Sequence, residues 1–262
     1  MVLHLFSSLD FGTESTKSLK EYNYGEKLRL SFVAIILGIL VLAPMIAAVG
    51  NPNPGVVPPD SIFNGKTYGE WSAEWWQWIF SIPKDSNPLY DDGTGKFTTA
   101  AQSGDVWFLA GSWNNPPTTE IHLNVPEGKA IFLPIINAES SKIEGYGANE
   151  AELRSDVEKT IGWVNVKKAI VDGNNLQNLD NYLVESDLFT FWLPRDVKGE
   201  PNNVLGISTD NKGSESIAVA DGYWIMLEPL SPGKHTIYIY GMAVLPPKPN
   251  PTDKPNPSKD SS

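Results

Sequence analysis

The chain has 262 residues, a formal net charge of −11 and no cysteine. Such an acidic balance excludes a nucleic-acid binder, which presents a basic face to phosphate. The lack of cysteine excludes disulfides, thiol catalysis, cysteine-held metals and a lipidated cysteine anchor. Hydrophobic content of 41%, charged content of 19%, 22 Gly and 21 Pro favour strands and turns around a sizeable core.

Residues 1–29 are polar and of mixed charge, and no fold is expected for them; they read as a cytoplasmic segment or the n-region of a signal. Residues 30–49 (LSFVAIILGILVLAPMIAAV) are uncharged and apolar, with Lys27 and Arg29 just ahead. That length suffices to cross a bilayer as an N-terminal hydrophobic helix. Two outcomes stay open: a retained transmembrane anchor, or a signal peptide cleaved near Gly50 after small residues. Either places the remainder outside the cytoplasm. Residues 51–60 (NPNPGVVPPD) read as a Pro-rich linker.

Residues 67–83 (TYGEWSAEWWQWIFSIP) hold four of the nine tryptophans within eight residues. Thr67 and Glu70 have capping-box spacing, and Pro83 ends the segment. At 100° per residue the only polar stripe is Glu70, Glu74, Gln77 and Ser81, so the spacing predicts a buried helix. Residues 87–95 (NPLYDDGTG) form a turn-rich loop, where Asp91 and Asp92 are the candidate calcium ligands; a solvated turn is the plainer alternative.

From Asp105 the pattern becomes β. Strands are expected at 106–110, 119–125 and 129–136, with Pro134 marking an edge or bulge. Residues 137–147 (NAESSKIEGYG) read as a polar loop and 149–162 as a short helix. Further strands are expected at 164–171, ended by Asp172-Gly173, at 188–193, and at 216–227, unless the last is a hairpin through Asp221-Gly222. A final strand covers 234–244. Residues 246–262 form a Pro-rich tail that cannot bury surface. The alternation of short strands and turns predicts a mainly β, β-sandwich or jelly-roll-like single domain over 61–245. The Trp-rich helix and one short helix would pack on it.

Four stretches together resemble a family of secreted bacterial and archaeal proteins. They are YGEWSAEWWQW (68–78), QSGDVWFLAG (102–111), VPEGKAIFLPIINAESS (125–141) and DGYWIMLEPLSPGKHTIYIYG (221–241). The resemblance implies an extracytoplasmic address and an all-β body, but no reaction and no functional residue. It also implies cysteines ahead of the second and third stretches. Here those places read FTTA and IHLN, so stability must come from packing.

No nucleophile elbow, phosphate loop or dinucleotide fingerprint is present. His4, His122 and His235 show no metal-ligand spacing, so solvated histidines are expected. The preferred function is a non-enzymatic binding module for a glycan, surface polymer or protein. Its candidate ligand residues are Trp113 and Tyr146, as aromatic platforms, and Asn137 and Glu139, as polar groups following a buried strand. One alternative is a carboxylate-based hydrolase such as a glycosidase using Glu70 and Glu74, one helical turn apart. Another is a structural component of the cell envelope.

Overall fold

A computed structural model describes residues 2–9, 51–111 and 119–244. Ten strands and two α-helices are present among them. In chain order they are β1 (Val2–Leu9), α1 (Tyr68–Ser81), β2 (Val106–Phe108), β3 (Thr119–His122), β4 (Ala130–Ser141), α2 (Glu150–Ile161), β5 (Val164–Val171), β6 (Asn174–Asn175), β7 (Leu183–Glu185), β8 (Phe189–Leu193), β9 (Ser214–Leu227) and β10 (Thr236–Ala243). The chain is therefore mainly β. One five-stranded sheet has the order β3-β1-β10-β5-β6. The second runs β2-β4-β9-β7, with β8 also paired to β9.

α1 forms where the capping box predicts it. Thr67 Oγ1 accepts from the Glu70 amide at 3.2 Å, and the Glu70 carboxylate accepts from the Thr67 amide at 2.7 Å. Its four tryptophans are buried. Trp75 crosses Trp224 of β9 edge-on at 5.4 Å, and Trp224 stacks on Phe132 of β4 at 5.0 Å and 3°. These rings join helix and sheet into one core. Trp71, Trp75 and Trp78 also donate their ring N–H groups to the carbonyls of Phe63, Leu109 and Ala100. The anchoring suits large amphipathic rings, which bury apolar area and still need one partner each.

Several expectations are corrected. Residues 51–60 are not a free spacer: Val56 and Val57 lie in the core, and Val57 N donates to Met226 O. Asn53 is 2% exposed and copies a strand, accepting from Gln177 N at 2.6 Å and donating to Gln177 O at 2.9 Å. The packed chain thus starts ahead of residue 61. Val2–Leu9, in the stretch expected without a fold, is a strand parallel to β10. β4 runs through Ser141, so the NAESS segment expected as loop is strand. Its register shifts between Pro134 and Ile136, the bulge that the proline marks. β9 is continuous through Asp221-Gly222 rather than a hairpin. Gly222 is required there by a neighbour, because a Cβ would come 2.6 Å from the Asn137 Cβ. The 30–49 segment, Trp113 and the 246–262 tail lie outside the described residues. No helix among the described residues is long and apolar enough to cross a membrane.

Candidate functional site

The β4 bulge decides which side chains share a face. After it, Asn137 pairs with Gly222, Glu139 with Ala220 and Ser141 with Ala218. Side chains of directly opposed residues lie on the same face. Asn137 and Glu139 therefore project to the Trp224 side of the sheet, opposite the small residues Gly222 and Ala220. The alternate positions Ala138 and Ser140 face α2. There Leu153, Val157 and Val219 form a separate apolar cluster, against which Ala138 packs.

Two further acids converge on this end of β4. Ser140 Oγ donates to Asp156 Oδ2 at 2.7 Å, and Ser141 Oγ to Glu144 Oε2 at 2.6 Å. Tyr146 follows, 50% exposed, with its amide on the Ser141 carbonyl. Glu139 is pushed well above the carboxylate range, first by burial, then by its hydrogen bond to the Glu144 carboxyl and by the charges of Glu144 and Asp156. The Tyr146 hydroxyl is raised mainly by the Glu144 charge. Glu139 Oε2 is buried with no hydrogen-bond donor in reach. Two carboxyls in contact with no donor between them form a bond only if one keeps its proton. Glu139 is thus a neutral acid at pH 7. Asn137 Nδ2 is also buried and unpartnered. Among the described residues none of Glu139, Glu144 and Asp156 forms an ion pair. Asn137, Glu139 and Tyr146, named from sequence, therefore belong to one end of β4. Glu144 and Asp156 were not named, because a turn acid and a helix acid give no signal until the fold joins them.

The other candidate residues are already engaged. The Glu70 carboxylate caps α1 and is lowered by its hydrogen bonds to Thr67. Glu74 pairs with Lys66. Neither faces a cleft with the other. Asp91 is 1% exposed, and its two oxygens take the amides of Gly93, Gly95 and Phe97. Asp92 holds Thr94 and Lys96, which lower it to about 2. Both therefore organise the loop, which closes on itself. No group of three potential metal ligands exists among the described residues.

His235 is not the lone solvated histidine expected. Nδ1 lies 2.7 Å from Asp172 Oδ2, and Nε2 lies 2.7 Å from the Ser231 carbonyl and 3.4 Å from Ser231 Oγ. The Asp-His-Ser order suggests a nucleophile, but both ring nitrogens face acceptors. The satisfied form is the imidazolium, raised chiefly by the Asp172 hydrogen bond, and it cannot take a proton from Ser231. It clips two turns together. Asp221 is a second buried acid, 3% exposed, with Oδ1 unpartnered. Burial raises it to about 6, against the pull of the Gly222 amide and with a push from Glu185 opposite it in β7. The chain matches no family model, no curated protein and no solved structure.

Proposed function

We propose that the chain is an extracytoplasmic, non-enzymatic binding module with a β-sandwich-like body, whose β4 end holds a hydroxyl-rich ligand: a glycan or a surface polymer. One observation carries this reading. Asn137 Nδ2, a donor, and Glu139 Oε2 are buried and unpartnered two positions apart on one strand face. Such positions lie roughly 7 Å apart, a spacing that suits two non-adjacent hydroxyls of one ligand. A buried polar group left unmade costs about 1–3 kcal/mol, so a ligand that satisfies both gains that difference. The exposed Tyr146 ring adds an apolar platform beside them. The test is a thermal-shift screen of the full chain against neutral oligosaccharides, since a ligand of the folded state raises the midpoint. A shift lost in Asn137→Ala and Tyr146→Ala supports the site; no shift with any sugar removes the reading.

The neutral Glu139 beside ionisable carboxyls favours one second reading, a hydrolase with Glu139 as proton donor in place of Glu70 and Glu74. Glu139→Gln separates the two. Gln keeps a donor and an acceptor, so binding survives while turnover of a chromogenic glycoside would vanish. The extracytoplasmic address carries its own requirement. If residues 30–49 span a membrane or are cleaved off, Val2–Leu9 cannot share a sheet with β10. A chain starting at Asn51 must then fold with unchanged stability, and a large loss of stability would count against the address.

A further inference from the structure

We propose that the groove crossed by residues 51–57 is a second binding site, for an uncharged, hydroxyl-rich chain. Two cavities, of about 620 and 630 Å³, flank this strap and share Pro52 and Asn53 in their walls. Each lies within the size range of ligand clefts. Their floor is fixed. Asn53 holds Gln177 through two hydrogen bonds and the Tyr182 hydroxyl through a third, at 3.1 Å. Val57 is tied to β9, and Glu228 N donates to Gly55 O.

The lining chemistry is carboxamide. Asn174, Asn175 and Gln177 line the first cavity; Asn51, Asn178 and Asn181 line the second. All six are exposed. The side chains of Asn175, Asn178 and Asn181 bond to no described residue. Each amide offers donors and an acceptor without charge, the complement of adjacent hydroxyls on a sugar ring. No lysine, arginine or histidine lines either cavity, which disfavours an anion. Each cavity also has one carboxylate in its wall: Asp172 in the first, already held by His235 and the Thr236 amide, and the exposed Asp60 in the second, an acceptor that suits hydroxyls and repels anions. An extended peptide would need an open strand edge. Here β6 is two residues long, and the backbone of Gln177 beyond it is paired by Asn53.

This site is independent of the one at Glu139, and the experiment keeps them apart. The full chain is titrated calorimetrically with cellohexaose, maltohexaose and chitohexaose. Three proteins are compared: the parent, the triple variant Asn174→Ala/Asn178→Gly/Asn181→Ala, with glycine at 178 because that backbone is left-handed at φ 55°, and the double variant Asn137→Ala/Tyr146→Ala. The groove predicts a sugar whose affinity falls at least tenfold in the triple variant with an unchanged melting temperature, and which the double variant still binds. Loss in the double variant alone overturns the groove and leaves the β4 site standing; absence of binding to all three sugars overturns the groove. If the triple variant melts early, the side-chain amide resonances of Asn175, Asn178 and Asn181 in the parent decide. They must shift on titration, and their failure to move overturns the proposal.

Discussion

The solvent stripe of α1 and the far end of β4 each carry glutamates on an element of the shared core, and the two regions treat them oppositely. On α1 each carboxylate has a donor: Glu70 caps the helix, and Glu74 meets Lys66. At the end of β4, Glu139 meets a second carboxyl and no cation or N–H. Two things differ. The Glu139 carboxyl is buried where Glu70 is exposed, and no cation or N–H lies within its reach; a buried acid without one keeps its proton. The first pair stabilises a helix start; the second leaves polar atoms for something else to satisfy.

The largest effect lies in the shared core. Trp224→Ala removes the ring that stacks on Phe132 and meets Trp75, at a position with no exposed surface. Loss of transfer energy and the cavity left behind should cost about 3–5 kcal/mol, read as the urea midpoint multiplied by an unchanged slope. A cost under 1 kcal/mol would mean that α1 and the sheet are not one cooperative unit. Next comes Asn53→Ala, which leaves the Gln177 N–H and C=O unpaired beneath the strap. About 1–3 kcal/mol is expected, together with faster amide exchange at Gln177. Unchanged exchange would return residues 51–60 to the role of spacer.

How legible these regions were follows from where their partners lie in the chain. The capping box of α1 and the Asp172-Gly173 turn are local and stand where the sequence places them, and the structure resolves Pro134, an edge or a bulge by sequence, as a bulge. The prolines of the strap read as a spacer, while its anchor, Gln177, lies 124 residues away. The polar residues of the NAESS segment read as a loop and hide a strand paired to β9 from Ile136 to Ser141. Asn137, Glu139 and Tyr146 were found as polar and aromatic residues after a buried strand. Glu144 and Asp156 were not, since nothing short of tertiary structure brings them to Glu139.

Acidity offers a smaller and more selective contrast. Asp221 holds its proton to about pH 6 in the folded state, against an ordinary value of 3.8. Between those limits the unfolded chain ionises and the folded chain does not, so stability falls as pH rises from about 4 to 6. Glu139 is raised as well, from its ordinary value of 4.5, and acts in the same direction through the upper part of that window and beyond it. His235 is also raised: its contribution is complete below its ordinary value of 6.5 and is lost as pH climbs through the folded value. The lowered acids Glu70, Asp92, Asp172 and Asp196 contribute only at their low end, losing stability on further acidification. The midpoint of urea unfolding should therefore decline from pH 4 to 8. Asp221→Asn should flatten the stretch from 4 to 6, and a midpoint that rises with pH would contradict the raised acids.

The smallest expected change is also the most direct comparison of the two regions. Glu74→Gln removes an exposed ion pair with Lys66 and should alter stability by at most about 0.5 kcal/mol, less at high salt. Glu139→Gln should not destabilise at pH 7, since the amide N–H replaces the O–H that Glu139 donates to the Glu144 carboxyl. Its clearest mark would be a shallower decline above pH 6, where the parent still carries the extra proton, the His235 contribution remains and Glu74→Gln leaves the slope untouched. If instead both variants keep the slope of the parent, Glu139 is already ionised and has found a partner. The β4 end would then be no different from the surface of α1, and the unpartnered acid would cease to mark a ligand site.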